Sequence, residues 1–118
     1  MNKMIEFRLT HETSTMLVAR VRGVLDATTV PELLKFLAPH RSRGRHVVLN
    51  LTDVTFIASS GVGVLLALDE ELRSERASLR LAQLSPGVDS VLQLLNLDQF
   101  LNIDATEAAA IASAGKQP

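Results

Sequence analysis

Ile5, Phe7 and Leu9 alternate with Glu6 and Arg8, a period of two that predicts a half-exposed strand. A polar, turn-like stretch at 10–14 separates it from a second strand over 16–21, so the two are expected to pair as a hairpin that Gly23 ends. Residues 26–38 then read as a helix. Thr29 with Glu32 fits a capping box, Pro31 is tolerated in the first turn, and Val30, Leu33, Leu34 and Leu37 form the apolar face. The nearly continuous apolar run at 47–51 predicts a strand buried on both faces, the expected centre of the sheet, with a loop following over 52–58.

Beyond that loop Gly61, Leu65, Leu68 and Leu72 recur at helical spacing, flanked by Val62 and Leu66, with Asp69, Glu70, Arg73 and Arg76 opposite. Leu79, Leu81 and Leu84 alternate as a further strand. Ser85 as N-cap with Pro86 at the first helical position opens another helix, whose apolar face is Val88, Val91, Leu92 and Leu95. A final short strand is expected over 100–103, then an Ala-rich helix capped by Asp104 with Glu107, and a frayed tail at 115–118. Strands alternating with helices after a hairpin predict one α/β domain, residues 3–114, with a mixed sheet of about four to five strands and about four helices.

Composition narrows what such a domain does. The 118 residues suffice for one core and not two. Aromatics are 3% of the chain, with no Trp or Tyr, which leaves little to stack on nucleic-acid bases. A net charge of -1 provides no global field toward nucleic acid or an acidic membrane. With no Cys, disulfides and thiolate chemistry are excluded, in keeping with a reducing compartment. The first residues show no signal-peptide pattern, and the apolar run at 62–68 is far shorter than the roughly 20 residues a span requires. The expectation is a soluble cytoplasmic protein with no membrane insertion.

The candidate chemistry lies between the buried strand and the amphipathic helix. Ser59 and Ser60 open that helix, where unpaired N–H groups and the dipole favour a hydroxyl cap or an anion. Gly61 and Gly63 lower helix propensity but let another backbone approach the turn, which suits a docking surface. On residue chemistry alone, Ser59 as an ordinary cap beside tightly packed glycines is the favoured account, while Asp26 as a turn residue serving nearby N–H groups stands level with a partner contact. His40, Arg41, Arg43, Arg45 and His46 follow the first helix and read as a solvated, dipole-complementing end, with anion docking as the alternative. His11, His40 and His46 lack partners at metal-ligand spacing, so no metal and no cofactor is expected.

Three ordered motifs carry a family resemblance. Gly23-Val24-Leu25-Asp26 resembles a Gly-x-Leu-Asp element, Asp53-Val54-Thr55-Phe56-Ile57 resembles an Asp-Leu-x-Phe-Ile approach to a Ser-Ser-Gly turn, and Ser85-Pro86 with Val91, Leu92, Leu95 and Phe100 resembles the late part of the same pattern. Together they resemble STAS-domain anti-sigma-factor antagonists over most of the chain. The resemblance implies a phosphorylation-controlled, non-enzymatic switch whose acceptor is the first serine of the turn, Ser59, and which sequesters an anti-sigma factor with serine-kinase activity while unphosphorylated. It further implies a serine phosphatase and a partner surface of Asp26, Ser59, Ser60, Gly61, Val62 and Gly63. The residue before the serine is commonly Asp in the family and is Ala58 here.

Enzymatic readings fit less well. Ser59 is flanked at two residues by Ile57 and Gly61 rather than by the two glycines of a nucleophile elbow, and no P-loop or dinucleotide fingerprint is present. A constitutive STAS subunit of a lipid-transport ATPase or of a signalling scaffold would use the same surface without phosphate turnover, and Ala58 keeps it open.

Overall fold

A computed structural model describes residues 4–41 and 44–115. The chain runs β1 (Ile5–Glu12), β2 (Met16–Leu25), α1 (Val30–Leu37), β3 (His46–Ile57), α2 (Ser59–Ser74), β4 (Leu79–Ala82), α3 (Pro86–Leu94), β5 (Asn102–Asp104) and α4 (Glu107–Gly115). The five strands form one sheet in sequence order, β1 antiparallel to β2 and every later neighbour parallel. This is the expected mixed sheet with four helices.

The two faces of the sheet are covered differently. Leu33 and Leu37 of α1, Leu65, Leu68 and Leu72 of α2, and Val88 and Leu92 of α3 join Leu17, Leu49, Leu51, Leu79 and Leu81 in one large core. On the other face Ala110 and Ala114 of α4 pack on Met16, Val18, Val48 and Ala82 in a smaller one. The stretch around Val47–Leu51 is therefore covered on both faces, which is why it reads as an unbroken apolar run.

Several boundaries differ from the sequence reading. β1 continues to Glu12 with an irregularity between Leu9 and His11, so the turn shrinks to residues 13–15. Gly23 does not end β2. At φ +119° it carries the strand through an irregularity to Leu25, and a Cβ there would collide with the Met4 carbonyl. The expected loop at 52–58 is mostly strand, because β3 runs on to Ile57 beside the end of β2.

α1 begins at Val30, and Leu34 on it is exposed rather than core. On α2 Asp69 is buried, with Arg73 as its ion-pair partner at 3.0 Å, and Arg76 lies past the helix end. Leu95 and Phe100 are exposed, and the last strand starts at Asn102. Asp104 pairs with Arg80 at 2.7 Å instead of capping α4, whose first turn is capped by Thr106 Oγ1 accepting from Ala109 N–H at 3.0 Å. Ser85 caps α3 as expected, accepting from Val88 N–H at 3.3 Å while donating to Val54 O at 2.6 Å. Gly115, expected in the frayed tail, is the last residue of α4, and the rest of that tail, 116–118, lies outside the described residues.

Candidate functional site

Two parallel strand ends bring the predicted residues together. Leu25 closes β2 in register with Ile57 at the end of β3, and Ala58 N–H donates to Leu25 O at 2.8 Å. Asp26 and Ser59 thus leave the sheet at the same edge, each leading into a helix. No hydrogen bond joins the two side chains among the described residues.

Ala58, in extended conformation (φ -94°, ψ 174°), is the N-cap of α2, and its carbonyl accepts from Val62 N–H at 3.0 Å. Ser59 and Ser60 are therefore the first two helical residues. Neither hydroxyl caps the helix, and no acidic residue stands in the first turn. The N–H groups of Ser59, Ser60 and Gly61 have no carbonyl one turn back to meet, and the positive end of the helix dipole lies beside them. Ser59 is exposed and Ser60 half-buried. The plain-cap account of Ser59 fails because the alanine before it occupies the cap position.

The two glycines serve different ends. A Cβ on Gly61 would lie 2.7 Å from Leu25 O and 2.8 Å from Ile57 Cγ1, so its missing side chain lets α2 sit against the strand ends. Val62 beside it is a core residue. Around Gly63 nothing lies within 4 Å of an added Cβ, and this residue is open to solvent. The close approach that the sequence suggested for a partner is made at Gly61 by the chain's own β2. The outward stripe of α2 is Ser59, Gly63, Leu66, Ala67 and Glu70, spaced at one, two and three helical turns.

Asp26 organises the entry to α1. Its Oδ1 accepts from Thr28 N–H at 2.9 Å, Thr28 Oγ1–H at 2.7 Å and Thr29 N–H at 3.1 Å. The Thr28 hydroxyl, with the two backbone donors, holds the carboxyl below the usual carboxylate range against a smaller opposing effect of desolvation. The capping box expected from Thr29 and Glu32 is absent. Thr29 is buried, its Oγ1 donating to Val24 O at 2.7 Å and accepting from Asp26 N–H at 2.9 Å, which ties the loop to the end of β2. Sequence reasoning missed this role, although a Thr three residues after an Asp at a strand end is the available signal.

The basic cluster is not a solvated end. Arg41 pairs with Glu71 and Glu75 at 3.2 and 3.1 Å, Arg45 with Glu12 at 2.9 Å, and His40 Nδ1 lies 3.3 Å from Glu12. The two arginines are mostly buried and the acids offset their charge, which leaves little to attract an anion. Arg43 lies outside the described residues. His46 is buried against Ser78.

The sheet thus carries three helices on one face, with Ser59 and Ser60 opening α2 at the end of β3. The STAS domain family model matches residues 7–110, and the chain belongs to that family, with anti-sigma-factor antagonists as its relatives. It is 34% identical over 99 residues to BtrV of Bordetella bronchiseptica, a candidate anti-sigma factor antagonist, covering 82% of this chain and 85% of that one. To the anti-sigma-B factor antagonist of Staphylococcus epidermidis it is 30% identical over 86 residues, covering 72% and 80%. The solved structure of unphosphorylated SpoIIAA, an anti-sigma factor antagonist, superposes with a TM-score of 0.73 at 29% identity, covering 90% of this chain and 93% of that one. The phosphorylated form of Bacillus SpoIIAA gives 0.69, also at 29%, covering 92% and 98%.

Proposed function

We propose that this protein is an anti-sigma-factor antagonist switched by phosphorylation of Ser59. While Ser59 carries a free hydroxyl, the surface around the starts of α1 and α2 captures an anti-sigma factor that is also the serine kinase. Phosphate on Ser59 releases that partner, and a serine phosphatase restores the binding form. On this reading Asp26, Ser59, Ser60 and Gly63 are offered to the partner, while Gly61 and Val62 shape the turn from within. The protein acts in the cytoplasm, where its partners would be; no helix among the described residues is long and apolar enough to cross a membrane.

The observation that carries the reading is the geometry of Ser59. It is exposed, it is the first residue of α2, and its helix end has free N–H groups with neither a side-chain cap nor a carboxylate in place. A phosphoryl group there meets a site already suited to an anion. Ala58 serves as the helix cap through its backbone alone. The relatives described above are anti-sigma-factor antagonists, and none of them is a transporter component.

Incubation with ATP and the kinase encoded beside it, followed by peptide mass spectrometry, is expected to place a single phosphate on Ser59. Phosphate confined to Ser60, or none, would overturn the assignment.

A further inference from the structure

β1 is an edge strand, paired on one side only. Val24 N–H donates to Met4 O at 2.9 Å across the pair Ile5–Gly23, and the register runs unbroken from there to Leu9–Ala19. In an antiparallel ladder the hydrogen-bonded residues alternate, so the even residues of β1 bond to β2 while the N–H and C=O of Ile5, Phe7 and Leu9 point to the open edge. Along that edge lies a groove of about 700 Å³ lined by Met4, Ile5, Phe7, Thr28, Glu32 and Phe36. Part of its wall is apolar: Phe7 and Phe36 stack with ring centroids 4.7 Å apart, and Met4 is 56% exposed.

We infer that the occupant of this edge is the β1 strand of a second copy of the chain, paired antiparallel about a twofold axis at Phe7. The charge pattern selects that register. With Phe7 opposite itself, Glu6 of each copy faces Arg8 of the other, Ile5 faces Leu9, and Met4 faces Thr10. The backbone groups that would pair are those of Ile5, Phe7 and Leu9, which the ladder leaves free.

Neither Glu6 nor Arg8 forms an ion pair within 4 Å among the described residues; Glu6 lies opposite Arg22, but Arg8 lies opposite Arg20, a like-charged neighbour. The second copy's Glu6 supplies Arg8 with the missing opposite charge. Charged residues on an edge commonly deter pairing; here a twofold at Glu6 or at Arg8 sets like charges opposite each other, whereas the twofold at Phe7 sets opposite charges together. The irregularity between Leu9 and His11 limits the pairing to residues 4–10. The two sheets would join into one, with the Phe7–Phe36 stacks of both copies side by side on the helix-bearing face.

Sedimentation equilibrium of the whole protein over a wide concentration range, with amide exchange read by NMR, tests this. The parent is expected to dimerise reversibly, with the amides of Ile5, Phe7 and Leu9 gaining protection as concentration rises. Glu6→Arg and Arg8→Glu, each placing like charges opposite at two symmetric positions, are expected to weaken the dimer by about tenfold or more while the chain stays folded by circular dichroism. The double variant Glu6→Arg/Arg8→Glu restores the complementarity and is expected to recover the dimer. A monomer at all concentrations, a dimer indifferent to the single changes, protection elsewhere than this edge, or a double variant that stays weak would each overturn the inference.

Discussion

Gly61 and Gly63 stand one residue apart from Val62 on either side of it, yet they face opposite environments. A side chain at Gly61 must displace the carbonyl of Leu25 or the side chain of Ile57, and backbone at a sheet edge yields little. Gly61→Ala is therefore expected to destabilise by about 1–3 kcal/mol. Gly63→Ala meets nothing and removes a helix-interior glycine, so it should stabilise by up to about 1 kcal/mol. Thermal or urea denaturation of the pair checks this, and equal effects would contradict the assignment. From the sequence both glycines were visible as an exception to helix propensity, but which of them faces inward depends on the register of β2 and β3, a long-range fact.

His46 is a second residue whose environment has a measurable consequence. It is buried, and its Nδ1 accepts from Ser78 N–H at 3.1 Å, an arrangement that requires the unprotonated ring. Burial lowers its pKa from the ordinary histidine value. Since the folded-state pKa lies below the unfolded one, its contribution to stability is complete above about pH 6.5 and is lost as pH falls through the folded value. Melting temperature is expected to drop on acidification below that point, and His46→Asn, with an acceptor oxygen near the place of Nδ1, should flatten the drop. A profile unchanged in the variant would refute the role.

At the scale of elements, the motifs at 53–63 and 85–86 were legible because they rest on local chemistry: a strand end, a turn, a helix start. Ser85 shows how strong such a signal is. Its hydroxyl both caps α3 and donates to Val54 O, fastening the helix to β3, so Ser85→Ala is expected to cost about 1–3 kcal/mol, seen as a lowered urea midpoint. An unchanged midpoint would mean the cap is dispensable. Strand lengths were less legible for a physical reason. β3 is covered on both faces only along its first half; past Leu51 the side chains of Thr52, Asp53, Thr55 and Phe56 are exposed, and such a half-strand resembles a loop in composition. From the sequence β2 stops at Gly23, because a glycine inside a strand and a glycine ending one look alike without the partner that approaches it.

At the scale of the molecule, the strands are laid down in chain order without reversal, and α1, α2 and α3 all pack on one face. A doubly wound sheet binds small molecules in the crevice where its strand order reverses. This sheet has no such point, and the ends of β2 and β3 lead directly into α1 and α2. Ser59 projects there from a helix anchored through Leu65, Leu68 and Leu72, while the hydroxyl itself makes no contact that the fold depends on. A charge added at that point should therefore act on binding and leave folding nearly untouched.

That separation of binding from folding is the central claim, and paired measurements on Ser59→Asp and Ser59→Ala test it most directly. An anion at the start of α2 gains roughly 0.3–1 kcal/mol from the dipole and free N–H groups, so Ser59→Asp should melt within a few degrees of the parent. Against a partner surface shaped for a hydroxyl, the same charge costs several kcal/mol in desolvation and repulsion, so its affinity for the anti-sigma partner should fall by about a hundredfold or more. Ser59→Ala should bind like the unphosphorylated parent and stay insensitive to ATP. Titration calorimetry showing Ser59→Asp binding as tightly as Ser59→Ala would contradict the phosphoswitch.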